Sequence, residues 1–499
     1  MKSTDVRLDW FQRWSEYHPF KDAVIETNTG QSIQYGALNQ LASNTALWLK
    51  NNYRFQGQRI AFFGEFSISF TVLFASAQKH NICIVPLNYR LSAKELIYLL
   101  LDSEPSLLVY DSKFETIIKE ILKEVTNIPT LITESLWDHI QKPVLQSLEL
   151  NPPDLDNPIF LLYTSGTTGK PKGVPYTHRM LTWNSIDTTW RLDLTSKDKT
   201  VMCLPPFHTG GLNVLFSPLL HRGGTIILQP KFNAEEALHL LEYHQCTIFM
   251  AVPTIVKMLA ASKNIDICNL SNLRYMIVGG EVLPLSVIEF WSQKGILIRQ
   301  GYGLTEAGPS VTSLHEEDCI RKRGSIGKVN FYIESKIVDT FGKVVTEGEA
   351  GELWLKGQSV MKGYWNNPDA NEKSFEGEWY KTGDMVKEDE EGYLYMVDRI
   401  KNMYKSGGEN IYPAEIERVL LEHPSISEVA VIGVPDETWG EVGIAYIVTG
   451  DKSTLEDTIL RSFLETKIAK FKVPKVFRFV ESIPLNDIGK IDRKKLLSS

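Results

Sequence analysis

The feature that most limits how this chain can fold is an apolar run, Ile159 to Tyr163, that stops abruptly at Thr164-Ser165-Gly166-Thr167-Thr168-Gly169-Lys170-Pro171-Lys172-Gly173. The run reads as a buried strand, and the glycine-rich break reads as the loop at its carboxyl end. Two glycines let backbone N–H groups converge on an anion, the hydroxyls add donors and the lysines bring positive charge, so the loop is a nest for phosphate. It is not a Walker A loop. That motif needs four residues between its glycine and Gly-Lys-Ser/Thr, whereas two separate Gly166 from Gly169 and proline follows Lys170.

At 499 residues the chain exceeds one ordinary core, and two or three domains are expected. From about residue 20 to 140, helical periodicity near Tyr35 to Asn51, Ser67 to His80 and Ser92 to Asp102 alternates with short apolar runs at Ile60 to Phe63, Ile82 to Val85 and Leu107 to Tyr110. That rhythm predicts a layered α/β unit with a largely parallel sheet. Residues 141 to 158, with four prolines, read as a connector. Strands predicted at Val201 to Leu204, Thr225 to Leu228, Thr247 to Val252, Tyr275 to Val278 and Ile296 to Arg299 make a second doubly wound unit, with helices at Ala234 to Tyr243 and Leu285 to Lys294. Ligands in such sheets sit beyond the carboxyl ends of strands, where Pro205 to Gly211, Gly279 to Glu281 and Gly301 to Glu306 fall. From Gly327 to Val397 the helical pattern gives way to a small β subdomain, and the last hundred residues read as a compact α+β tail.

With 53 basic and 61 acidic residues the net charge is -8, which argues against nucleic acid as the main partner. Five scattered cysteines without CxxC spacing point neither to zinc nor to a disulfide framework, and a reducing cytoplasm fits them. No apolar run reaches membrane-spanning length, so a protein without a membrane span is expected.

Six stretches in order then carry a resemblance: YTSGTTGKPKG, PPFHTGG at 205 to 211, GYGLTE at 301 to 306, WYKTGD at 379 to 384, DRIKNMYKSGGENIYP at 398 to 413 and PLNDIGKIDR at 484 to 493. Over residues 20 to 495 the chain resembles the adenylate-forming superfamily of acyl-CoA synthetases, peptide-synthetase adenylation domains and beetle luciferases. The resemblance implies a large N-terminal domain, residues 1–399, of two doubly wound αβ subdomains and a small β subdomain. A small, mobile α+β domain, 400–499, follows it. It also implies a two-step reaction: a carboxylate attacks the α-phosphate of ATP to give acyl-AMP and pyrophosphate, then a thiol displaces AMP.

Residue by residue, the resemblance makes Thr164 to Gly169 and Lys172 the phosphate loop, Thr305 a donor to the α-phosphate, and Glu306 the carboxylate for Mg2+, since a carboxylate near phosphates needs an intervening cation. Tyr302 is similar to the aromatic that stacks on adenine, beside Gly280, Glu281 and Gly303 in the pocket wall. Asp384 and Arg399 are similar to the pair on the ribose, and Lys490 to the catalytic lysine that bridges carboxylate and phosphate as charge builds. Asn486 replaces the threonine many relatives carry in that lysine's loop. Lys401 is similar to the hinge on which the small domain turns, bringing the Gly407-Gly408 segment to the thiol.

His208 stands where amino-acid-activating relatives carry aspartate, so an amino acid is disfavoured and a fatty acid, then an aryl acid, is expected. Thr209, Gly210 and Gly211 are small and leave room for it, with Gly301, Gly303 and Gly308 completing the pocket. Coenzyme A is the expected thiol. A carrier protein's phosphopantetheine arm has the same end and stays open as an alternative, as does a catalytically silent nucleotide-binding relative.

Overall fold

The computed structural model describes residues 7–53, 59–141, 150–164, 170–280, 283–450, 455–485 and 490–497. A six-stranded sheet runs in the order Thr130–Ile132, Leu107–Tyr110, Arg59–Phe63, Cys83–Pro86, Pro158–Thr164, Lys172–Thr177. Its pairs are parallel except the last, where Tyr163 faces Gly173 and Thr164 faces Lys172 in an antiparallel hairpin. The apolar run therefore is the buried strand expected, and residues 165–169 lie outside the described residues. Helix Ile68–Ala77 has every residue buried, as its apolar surface all round requires. Helix Ala93–Ser103 opens on a reciprocal capping box between Ser92 and Glu95.

The parallel strands predicted for a second unit fall in two sheets: Lys199–Met202 pairs with Thr225–Leu228 in one, and Tyr275–Val278 lies between Ile248–Ala251 and Leu297–Leu304 in the other. The first of these two has an N-terminal contribution that differs from expectation. Asp22–Glu26, from the stretch read as part of the first unit, pairs in parallel with Thr225–Leu228, Val24 facing Ile226. Local alternation sets element type, but a strand's partner two hundred residues away is chosen by the shared core, here through buried Val24, Ile226 and Leu228.

An antiparallel sheet of Ile333–Val338, Gly351–Gly357, Phe375–Glu376, Trp379–Glu388 and Leu394–Arg399 is the β subdomain. After it comes a separate sheet of Tyr404–Ser406, Glu409–Ile411, Ile426–Asp436, Gly440–Thr449 and Val476–Phe479. Helices Pro413–Leu420 and Asp457–Glu465 cover it, and Ile416, Leu420, Val431, Ile447, Leu460 and Leu464 form a core of their own. Among the described residues no helix is long and apolar enough to cross a membrane.

Candidate active site

One large cleft, about 1810 Å³, lies between these units. Roughly 300–1,000 Å³ suffices for one ligand, so this cleft has space for more than one reactant. Thr164, Lys170 and Lys172 from the phosphate-loop hairpin, Thr305 and Glu306 from the end of Leu297–Leu304, Asp384 and Arg399 from the β subdomain, and Lys401 and Lys490 from the C-terminal part all line it.

The hairpin register sets Thr164 beside Lys172, and Thr164 Oγ1 donates to the Lys172 carbonyl at 3.5 Å. Lys172 Nζ stands 4.6 Å from the centre of the Tyr364 ring, an arrangement that holds a cation at the loop's exit. Asp384 is 2% exposed. It faces Arg399 across neighbouring strands, with Arg399 Nε 3.0 Å from Oδ1, while the Tyr302 hydroxyl donates to Oδ2 at 2.6 Å. The Asp384 charge raises the Arg399 pKa, and burial with the same charge lifts the Tyr302 hydroxyl far above its usual range. Tyr302 is buried and is not among the residues lining the cleft.

Glu306 accepts a hydrogen bond from the Tyr364 hydroxyl at 3.0 Å, and burial raises its pKa. A half-buried carboxylate beside a phosphate loop, with one hydroxyl partner named, suits a magnesium ion. That ion is usually held by one or two carboxylates together with substrate phosphates. Among the described residues no cluster of three or more His, Cys, Asp or Glu side chains could hold a metal without such help.

On the opposite wall, the Gly210 N–H donates to His208 Nδ1 at 3.1 Å, which assigns the ring proton to Nε2. Burial, with the Lys490 charge, pushes the His208 pKa down to about 4, so the ring is neutral. Lys490 precedes Ile491, which pairs with Leu485 in an isolated antiparallel bridge, and residues 486–489 lie outside the described residues. A methyl group built on Gly280 would touch Lys490 Cε at 3.9 Å, and the lysine's charge is near enough to His208 to lower its pKa. Gly407 and Gly408, at φ +58° and +90°, form the tip of another hairpin and are exposed outside the cleft. The lysine arm is thus in and the glycine hairpin out.

Of the predicted pocket residues, His208, Thr209, Gly210, Gly301 and Gly303 line the cleft, whereas Gly211 and Gly308 stand behind it. A Cβ on Gly211 would lie 2.3 Å from the Pro205 carbonyl oxygen, and one on Gly308, at φ +78°, 2.8 Å from Asn184 Oδ1. These glycines permit close packing of the wall. Ser165, Gly166, Thr167, Thr168, Gly169 and Glu281 lie outside the described residues.

Sequence reasoning missed the supports of this wall. Asn213, fully buried in the π-helical stretch Gly211–Phe216, donates to Thr209 Oγ1 at 3.2 Å and accepts from Ser217 Oγ at 3.0 Å. Asn184 in helix His178–Arg191 donates to the Asn213 carbonyl at 2.7 Å and accepts from the Ser310 N–H at 3.3 Å. The signal available was an asparagine inside an otherwise apolar stretch, GLNVLF, because a buried amide must be hydrogen-bonded.

A family model described as AMP-binding enzyme matches residues 11–365, and one described as AMP-binding enzyme C-terminal domain matches residues 415–490. The chain belongs to this family. It is 35% identical to a feruloyl-CoA synthase of an Amycolatopsis species over 97% of this chain and 96% of that protein. It is likewise 35% identical to a long-chain-fatty-acid–CoA ligase of Mycobacterium tuberculosis, covering 95% and 94% of the two chains. The solved o-succinylbenzoate CoA synthetase of Bacillus subtilis, in complex with its acyl-adenylate intermediate, superimposes with a TM-score of 0.87 at 32% identity, over 98% of this chain and 97% of that one. As an AMP-binding enzyme of this group the chain is an AMP-forming acid–CoA ligase, using ATP, Mg2+ and coenzyme A.

Proposed function

We propose that this ligase activates a compact carboxylic acid, aryl-sized or of medium chain length, in the wall formed by His208, Thr209, Gly210, Gly301 and Gly303. Thr164 to Gly169 and Lys172 hold the phosphates, and Asp384 and Arg399 bind the ribose. Gly280 and Glu281 border the adenine, while Tyr302, read from the sequence as the stacking aromatic, stands behind the cleft wall and holds Asp384 through its hydroxyl. Glu306 would hold magnesium, which supplies neutralising charge on the phosphates when bound. Thr305 donates to the α-phosphate, and neutral His208 offers its Nε2–H to the incoming acid. Lys490 meets the negative charge that develops where carboxylate and α-phosphate join, which a fixed cation in a partly dry cleft stabilises more strongly than water does.

The observation that carries this reading is that Lys490 shares one cleft with Thr305, Glu306 and Asp384, while Gly407 and Gly408 are exposed elsewhere. That is the disposition an acid-adenylating state needs. The second step then requires the part beyond Arg399 to turn at Lys401 and bring the glycine hairpin to the cleft, so we divide the domains between 399 and 400. Free CoA is the favoured thiol over a carrier-protein arm, and a reducing cytoplasm is the favoured setting because all five cysteines are free thiols.

The test is acid-dependent exchange of pyrophosphate into ATP without CoA, followed by thioester formation when CoA is added. Exchange that needs CoA, or ADP as the product, would overturn the order of steps. Thioester formed on a phosphopantetheinylated carrier protein but not on free CoA would transfer the second half-reaction to the carrier.

A further inference from the structure

The face of strand Leu297–Leu304 that borders the acid wall runs inward from the site. In strand Leu297–Leu304 alternate residues share a face, so Arg299 lies on the same side as Gly301 and Gly303. Its Cα is about 7 Å further in than that of Gly301 at roughly 3.3 Å per residue. Arg299 pairs in register with Ile277, whose side chain also lines the cleft, and Leu192, Thr312 and Ser313 line the same inner end. A pocket for a plain hydrocarbon would end in apolar side chains. This one ends beside a guanidinium.

Arg299 is 1% exposed, and its bonds can be counted. Nε donates to the Leu314 carbonyl at 3.0 Å and Nη2 to the Arg191 carbonyl, while the Tyr275 ring packs against the guanidinium with its centre 4.7 Å away. Nη1 has no hydrogen-bond partner among the described residues. The Glu316 carboxylate is 4.0 Å from it, beyond hydrogen-bonding distance and 40% exposed, so it supplies counter-charge without satisfying the N–H groups. Neighbouring Arg191 donates to the Ser313 carbonyl at 3.2 Å and keeps a buried, unpartnered Nε. Burial and the Arg299 charge lower its pKa. Buried cations with unused donors are costly unless a partner arrives, and a guanidinium's planar set of N–H groups is matched by oxygen acceptors.

We infer that the acid carries an oxygen acceptor, a phenol, carbonyl or second carboxylate, at the end remote from the activated carboxyl group, and that Arg299 receives it at the inner end of the pocket. This deepens the acid–CoA ligase reading and rests on it. The spacing from Gly301 to Arg299 matches an acid about one ring long, which excludes long unsubstituted chains from this route. Arg299 is then a specificity residue, two residues before the glycine wall.

The test compares 4-hydroxycinnamate and 4-carboxycinnamate with 4-methylcinnamate, by kcat/KM for acid-dependent pyrophosphate exchange in the full-length enzyme. The oxygenated acids should exceed the methyl analogue at least tenfold, and Arg299→Met should bring the ratio near one. Because Arg299 also pins two carbonyls, its replacement costs stability, and surface-reaching Glu316→Gln serves as the second variant. Removing the nearby carboxylate should raise the preference for 4-carboxycinnamate over 4-hydroxycinnamate severalfold. Equal or better use of 4-methylcinnamate, an unchanged ratio in folded Arg299→Met, or no shift in Glu316→Gln would overturn the assignment. Exchange with plain acids but no oxygen preference sinks this inference alone, whereas no exchange with any acid sinks the reading beneath it.

Discussion

At the nucleotide end of the cleft the side chains include charged groups, buried Asp384 paired with half-exposed Arg399 and half-buried Glu306 accepting from the Tyr364 hydroxyl. At the acid end they are neutral amides and hydroxyls sealed from water, Asn184, Asn213 and Thr209, with Arg299 buried beyond them. The first arrangement suits phosphates and sugar, whose charge is fixed and whose hydration is shed only in part. The second holds a wall in one shape, because a buried network that loses a member leaves the others unsatisfied. Lys490 stands where the two meet.

The largest expected effect comes from removing that junction. Lys490→Ala should slow pyrophosphate exchange by about a hundredfold or more, about 3 kcal/mol, while the KM for ATP and for acid stay within a few fold. A rise in either KM with kcat unchanged would assign the lysine to one end rather than to the border. Next is Lys401→Pro. Lys401 sits in the 3-10 turn Ile400–Asn402, whose φ near -60° proline accepts. The variant should keep pyrophosphate exchange and lose thioester formation about a hundredfold. Equal loss of both half-reactions in folded protein would remove Lys401 as the pivot.

Asn213→Ala separates the two ends. Thr209 and Ser217 lose a partner inside the wall, so stability should fall by about 1–3 kcal/mol in urea unfolding, and the acid KM should rise about tenfold with the ATP KM unmoved. A matching rise in the ATP KM would mean that the ends are not independent. The smallest effect at neutral pH concerns protons, because it shows only in acid. Burial pushes His178, at the start of the helix behind the acid wall, down to about 3. The unfolded chain binds that proton below about pH 6.5 and the folded chain does not, so this stability is complete above pH 6.5 and is lost as pH falls toward 3. His178→Gln should flatten the dependence of unfolding free energy on pH by up to about 1.4 kcal/mol per pH unit between pH 6 and 4. An unchanged slope would show that His178 takes up its proton while folded.

The same contrast explains what could be read from the chain. The nucleotide end is written in contiguous motifs, YTSGTTGKPKG, GYGLTE and WYKTGD, because turns, glycines and charges must be neighbours to cradle an anion. Strand and helix types across both sheets were legible for a similar reason, since periodicity is local. The acid end was not. Asn184 and Asn213 come from separate helices, and Arg299 reads as an ordinary strand-edge charge until the register places it on the pocket face. Gly211 and Gly308 looked like space for a ligand, but what they avoid are a carbonyl and an amide of the protein itself.

The strand Asp22–Glu26 has a consequence for how the chain is made. Its partner Thr225–Leu228 is translated about two hundred residues later, and at roughly 5–20 residues per second that interval is about 10 to 40 s. During this time the six-stranded sheet can begin to assemble from residues 59 to 177, while the N-terminal strand, with Val24 on one face and Ile25 on the other, waits for its parallel partner. The N-terminal strand thus finds its parallel partner only after every residue of the six-stranded sheet has been made, so the order of assembly in the large domain is not the order of its sequence.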